Sequence, residues 1–329
     1  MGRIMQGNFG AGWVLAISAL LDFVIGDPLH WWHPVQGMGW ASAHYTQFTL
    51  KRLQSPRLLR LAGIGLGISL IGGSGLIGWG LSQVARQIHP LLQIMMESIV
   101  LASCFAGRSL RDAAEEVMKP LQQGDLALAR STLSRYVGRD TENLSEADIL
   151  RAVLETVTEN ATDGVLAPLF YAIAGAAIPG VGSLPLALGY KAASTLDSMV
   201  GYRREPYTHL GWFSAKADDV LTWLPCRLVV LTLALISGKP RQVWRICRRD
   251  APQDPSPNSG WSECVYAAIL GVQVGGMNYY QGVAKPKPLL GDATHAIAPA
   301  DIRHALRLTR QCFLIWLSIA LVSLKYLYW

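Results

Sequence analysis

Glu155, Glu159 and Asp163 stand four residues apart within VLETVTENATDGVLAPLFYA, residues 153–172, a stretch without Lys or Arg. In a helix, i, i+4, i+8 spacing stacks the three carboxylates on one face. Like charges so placed repel by roughly a few tenths of a kcal/mol per pair in water, and by more beside an apolar phase. Something positive must offset them: a divalent cation, a basic side chain from another segment, or protonation. A solvated helix face fits the spacing equally well. Asn160, followed by Asp163–Gly164 and Pro168 at the helix exit, favours a site, because polar, turn-prone groups gather where the chain enters an apolar run.

A second cluster lies in YKAASTLDSMVGYRREPYTHLGWFSAKADDVLTWLPCRL, residues 190–228, where Lys191, Asp197, Arg203, Lys216, Asp218, Asp219 and Arg227 mix both signs. Such a mixture suits ATP chemistry, with carboxylates on Mg2+ and basic side chains on phosphates. Exposed ion pairs on a membrane-surface loop are the plain alternative, each worth little. The adjacent Asp218 and Asp219 point in different directions on a helix, so one site uses only one of them. The block LDFVIGDPLHWWHPVQGMGW places Asp22, Asp27, His30 and His33 beside the first apolar segment, where ionisable groups are functional candidates and capping is the common alternative. In DPSPNSGWSE, residues 254–263, Asn258, Ser259 and Gly260 could make a phosphate-contacting turn or a turn without function.

Known nucleotide and hydrolase signatures are missing. The only Gly–Lys, Gly238–Lys239, precedes a proline, and G-x-S-x-G and H-E-x-x-H are both absent. The five cysteines show no C-x-x-C spacing and read as apolar residues.

The elements that carry these clusters are apolar. Only 16% of the 329 residues are charged, against about a quarter in a soluble domain, and mean hydropathy is +0.26. Apolar segments at about 4–25, 61–85, 165–190, 220–238 and 311–329 approach the roughly 20 residues that cross a bilayer. Pro225 and Arg227 interrupt the fourth. The first lacks a small-residue cleavage site and reads as retained. Basic clusters at 51–60 and 239–249 lack aromatic interleaving, so they fit loop anchors that set topology and not nucleic-acid binding. IPGVGSLP breaks 165–190 into a helical hairpin, which would keep residues 155–163 and 191–219 on one side of the membrane. Residues 107–160 read as an amphipathic insertion: a helix, a turn near Gly124–Asp125, a second helix, and a third capped at Ser145. The expected fold is all-α, one polytopic membrane domain over 1–329 with a re-entrant-like hairpin and a polar site facing the cytoplasm.

Five blocks occur in order: GDPLHWWHPVQGMG, ETVTENATDGVLAPLFY, YKAASTLDSMVGY, FSAKADDVLTWLPCRL and DPSPNSGWSE. Together, over about residues 15–310, they resemble the CbiB/CobD family of cobalamin-pathway membrane proteins. Lys216 and Cys226 stand where that family suggests Arg and Ala, and neither change removes a plausible ligand.

The resemblance implies adenosylcobinamide-phosphate synthase activity in a bacterial inner membrane. That reaction is an ATP- and Mg2+-dependent amide ligation of adenosylcobyric acid to an aminoalcohol phosphate, either aminopropanol phosphate or ethanolamine phosphate. A carboxylate condenses with an amine only after its oxygen becomes a leaving group, so an acyl phosphate is expected. On this reading Glu155, Glu159 and Asp163 supply metal ligands and the base, with Asp197, Asp218 and Asp219 as further metal ligands. Lys191, Arg203 and Arg227 bind phosphate groups, Asn160 and Asn258 orient substrates, and His33 contacts substrate. Implied partners are the two substrates, the bilayer, other cobalamin-pathway enzymes and a second copy of the chain. A transporter would place carboxylates mid-helix and show inverted repeats; here no repeat is evident and the charges gather at segment ends. A non-catalytic pathway scaffold is the other alternative, disfavoured by the density of site-like acidic and basic residues.

Overall fold

The computed structural model describes residues 2–26, 33–202 and 204–327. Its helices begin where the sequence punctuates them. After α1 (Gly2–Val24), proline opens α2 (Pro34–Arg52), α3 (Pro56–Ile88) and α4 (Pro90–Ala102), since the first helical position needs no N–H donor. The amphipathic insertion follows as α5 (Gly107–Gln122), α6 (Leu126–Leu133) and α7 (Glu146–Asn160). Gly124 takes φ +80° at the first turn, Asp125 caps α6, and Ser145 with Asp148 forms a capping box on α7.

At Ala161–Leu166 the helix widens into a π-turn, then continues as α8 (Ala167–Ala177). Gly180 and Gly182, at φ +82° and +87°, reverse the chain into α9 (Ser183–Val200). The uncharged run 165–190 is therefore a helical hairpin, with Tyr171 stacked on Tyr190 at 5.0 Å. Next come α10 (Tyr207–Leu210), α11 (Trp212–Ile236), which continues through Pro225, α12 (Pro240–Asp250), a 3₁₀ turn at Ala251–Gln253 and α13 (Ser259–Leu270). An antiparallel pair, β1 (Val274–Tyr280) and β2 (Val283–Leu290), precedes α14 (Pro299–Leu327).

That β-hairpin is absent from the all-helical expectation, yet it is tightly specified. Its two-residue turn, Gln281–Gly282, has positive φ at both positions, as a type I′ turn requires. Asp140 accepts both turn N–H groups, at 2.9 and 2.7 Å.

Four stretches are long and apolar enough to cross a membrane among the described residues: Pro56–Ile88, Pro90–Gln122, Trp212–Ile236 and Pro299–Tyr326. The second bends at 103–106, between α4 and α5. Apart from its small hairpin the protein is an all-α polytopic membrane protein. Leu76, Ile77, Leu81 and Val84 on α3 point outward, Leu76 71% exposed, as lipid-facing side chains do.

The chain divides into two compact units. The first holds residues up to Ala106, Ala167–Thr222 and those from Leu314 onward; the second holds Gly107–Leu166 and Trp223–Phe313. In the first unit the glycines of α3 let backbones approach closely. A Cβ on Gly63 would fall 2.0 Å from the Leu210 carbonyl oxygen, and one on Gly78 would fall 2.8 Å from Leu188. Leu66 packs there on Leu196 and Val200. In the second unit α7 and α13 pack together, with the β-hairpin against both.

Candidate functional site

Glu155 lies near the end of α7 and is 1% exposed. Its Oε2 accepts a hydrogen bond from Arg139 Nη2 at 2.5 Å, its Oε1 accepts the Gly275 N–H at 2.8 Å, and Arg151 Nη1 stands 3.9 Å away. Both carboxylate oxygens are thus engaged by the protein. The same arginines hold β1, because Arg139 donates to Asn278 Oδ1 at 2.9 Å and Arg151 to the carbonyls of Gly275 and Met277. Of the three counter-charges the sequence left open, Glu155 receives a basic side chain from another segment.

Gly275 lies in the β-bulge between Val274 and Gly276, at φ +92°, where a Cβ would meet Pro288 O at 1.9 Å. Beyond the bulge Gly276 pairs with Lys287. Lys287 Nζ reaches Glu263 Oε1 at 2.6 Å, and Ser259 Oγ donates to the same oxygen at 2.9 Å. Glu263 is fully buried, and its Oε2 has no partner among the described residues. Burial pushes the Glu263 carboxyl up to about 8, against the pull of Lys287 and with an added push from the charges of Glu159 and Glu155. Burial works against the charged Lys287, but the carboxylates of Glu263, Glu159 and Glu155 outweigh it and hold the ammonium above the ordinary lysine range. The cluster therefore retains a proton near neutral pH.

Glu159 is half-buried and forms no hydrogen bond or ion pair among the described residues. Asp163 lies inside the π-turn, four residues beyond Glu159. Ser262 of α13 clamps this widening, donating to the Thr158 carbonyl at 2.6 Å and sharing a 2.6 Å hydrogen bond with Thr162. Asp163 lies within electrostatic range of Cys226, the neighbour of Arg227. Asn160 is exposed and donates to its own helix at Thr156 O.

Arg227 lies between two indoles, 5.1 Å from the Trp223 ring and 5.0 Å from Trp261. Its Nη1 donates to Asn258 Oδ1 at 3.0 Å, and Asn258 is 4% exposed at the N-cap of α13. The turn before it is held by Ser256 Oγ, which accepts the N–H groups of Asn258 and Ser259. Gly260 is required there, since a Cβ would fall 2.6 Å from Ala251 O. One helix, α13, thus joins Arg227 at its cap, the π-turn at Ser262 and Lys287 at Glu263.

In the first unit, Lys191 and Asp197 are half-buried on α9. Lys216 pairs with Asp219 at 3.2 Å, and Asp218 lies within electrostatic range of Tyr171. His33 caps α2, its Nδ1 accepting the Val35 N–H at 3.1 Å. Arg203, Asp27 and His30 fall outside the described residues.

Residues 15–309 match the CobD/CbiB protein family. The chain belongs to that family. A cobalamin biosynthesis protein CobD of Synechocystis is 54% identical over 308 residues, covering 94% of this chain and 90% of the relative. A CbiB protein of Salmonella typhi is 43% identical over 296 residues, covering 89% and 91%. No solved structure matches.

Among the described residues of this CobD/CbiB chain, no three His, Cys, Asp or Glu side chains gather closely enough to hold a metal ion. Mg2+ commonly binds one or two carboxylates plus substrate phosphates and water, so Glu159, an oxygen donor without a protein partner, suits that ion. Sequence reasoning missed Glu263, Lys287, Arg139 and Arg151. Glu263 closes the DPSPNSGWSE block and so carried a signal; Lys287 acquires its meaning only through the bulged pairing of β1 with β2.

Proposed function

We propose that this CobD/CbiB chain acts in cobalamin biosynthesis as an ATP-dependent ligase. It would join the free propionate carboxylate of adenosylcobyric acid to aminopropanol phosphate or ethanolamine phosphate. In the first step a carboxylate oxygen attacks the γ-phosphorus of ATP, the bond to the β–γ bridging oxygen breaks, and ADP leaves. In the second the amine attacks the acyl carbon, inorganic phosphate departs with the former carboxylate oxygen, and the amine proton passes to a base.

Family membership supports the pathway, and the organisation around α13 supports the ligase chemistry. At its cap Asn258 fixes a guanidinium whose carbon lies 5.1 and 5.0 Å from two indole rings, an arrangement suited to phosphate oxygens. One turn on, the Glu263–Lys287 pair and the unpartnered Glu159 hold the charge and proton that amine attack requires. Mg2+, carried by Glu159 and Asp163, would neutralise phosphate charge. Glu155 is reassigned from chemistry to positioning, since its oxygens already hold β1. Asn160 keeps a substrate-orienting role. Lys191 and Arg203 keep proposed roles as phosphate cations, and Asp197, Asp218 and Asp219 as further metal ligands, each judged by its own substitution. His33 caps its helix and is assigned no substrate contact.

Purified protein in lipid, incubated with adenosylcobyric acid, MgATP and each amine, should yield the corresponding amide by mass spectrometry, with ADP in equal amount. If folded protein produced no amide from either amine, the ligase reading would be wrong.

A further inference from the structure

Arg227 belongs to a longer chain of ring contacts. Trp223, Arg227, Trp261 and Trp244 follow one another at 5.1, 5.0 and 5.6 Å. That chain of contacts ends at Trp244, whose ring is tilted 48° to Trp261 and which is 44% exposed. Trp244 sits on α12, whose Val243, Ile246 and Cys247 are buried and whose opposite side carries Arg241, Arg245 and Arg248. Those three arginines follow i, i+4, i+7 spacing, so they share the exposed face with Trp244. None has a hydrogen bond or ion pair among the described residues. Arg249, by contrast, is engaged by Asp250 and Asp292.

A half-exposed indole, flanked by uncompensated guanidiniums and joined through Trp261 to a clamped arginine, is complementary to one kind of ligand: a planar aromatic group carrying several negative charges. An indole face stacks a nucleobase without reading its edges, while arginine forks grip phosphate oxygens. We infer that the α12 face is a nucleoside triphosphate site, with the base on Trp244 and the phosphates reaching across Arg241 and Arg245 towards Arg227. The inference names where the nucleotide of the proposed ligase is held and rests on that reading for the identity of the nucleotide as ATP.

Binding of ATP, adenosine and inorganic triphosphate to the full chain in lipid nanodiscs separates the contributions. ATP should bind more tightly than either fragment. Trp244→Ala should weaken ATP by about tenfold or more and leave triphosphate unchanged, with Trp244→Phe restoring most of the loss. Arg245→Gln and Arg241→Gln should weaken ATP and triphosphate alike and leave adenosine unchanged. In the amide assay the same variants should raise the KM for ATP with little change in kcat.

Wild-type ATP affinity in Trp244→Ala, Arg241→Gln and Arg245→Gln alike overturns the inference, whether or not amide forms. So does a change that appears only with anionic lipid in the disc, which would mean that the arginines hold lipid headgroups. ATP binding that is lost in the variants of a protein that forms no amide leaves this site standing and removes the ligase reading instead.

Discussion

Glu155 and Glu159 are one helical turn apart and share a charge, yet their surroundings give them opposite duties. Glu155 is enclosed by Arg139 and Arg151, whose side chains are 9% and 13% exposed. Removing it strands the Arg139 guanidinium, while Arg151 keeps Asp148 and its strand carbonyls, a loss of roughly 3–5 kcal/mol. Glu155→Ala should therefore lower the thermal midpoint of the detergent-solubilised protein sharply, whereas Glu159→Gln should stay within about 0.5 kcal/mol of wild type and lose most of its ligation rate. Equal destabilisation by the two would mean that Glu159 is also a structural group. Glu263 makes a separate, pH-dependent prediction. Its carboxyl is raised by folding from an ordinary value of 4.5 to about 8. Its contribution to stability is thus complete below pH 4.5 and is lost progressively as pH rises through about 8. Thermal midpoints measured from pH 5 to 9 should decline across that window, and Glu263→Gln should flatten the decline. A Gln variant with the wild-type slope would place the titrating group elsewhere.

Between residue and fold stand the elements that turn distant positions into neighbours, and the β-hairpin does most of this in the second unit. Its bulge aims the Gly275 N–H at Glu155 and sets the register that delivers Lys287 to Glu263. Gly275→Ala adds a Cβ where Pro288 O already sits and where φ is positive, so the strands must shift. That variant should keep its membrane helices, as judged by circular dichroism, and lose ligation through the misplaced Lys287. Retained activity would show that the bulge is dispensable. These particulars also explain what could be read in advance. The caps at Ser145 and Asp125, the hairpin at IPGVGSLP and the small-residue α3 all follow from local chemistry that a single segment displays. The β-hairpin could not be read that way, because VGG and KPKP look like loop to any argument from alternation or propensity. The apolar stretch before residue 106 was hidden by Gln93 and Glu97. Asn258 and Arg227 were visible as residue types; their contact, 31 positions apart, was not. The π-turn at Ala161–Leu166, bonded to Ser262 from 100 residues away, was equally hidden from local chemistry.

The proposed ligation would require the molecule to face its substrates from the cytoplasmic side of a bilayer, and the α8–α9 hairpin makes that testable inside the first unit. At about 1.5 Å per residue, the 18 residues of α9 extend about 27 Å, close to the roughly 30 Å of a hydrocarbon core. Ser198 at its far end and Pro179 at the hairpin turn are both exposed, and they are separated by most of that length. The five native cysteines are free and buried, so one cysteine introduced at the surface supplies the only reactive thiol in the folded protein. Ser198→Cys should label with a membrane-impermeant maleimide in inverted vesicles and stay protected in intact spheroplasts, because Lys191 and Asp197 share its helix and are proposed to meet cytoplasmic ATP. Pro179→Cys should resist the reagent in inverted vesicles. Labelling of Ser198→Cys only from the outside would put the carboxylate end of α9 on the wrong side for every proposed substrate. It would remove the roles proposed for Lys191 and Asp197. Labelling of both positions from the inside would instead make the hairpin a shallow re-entrant loop that does not cross the bilayer at α9.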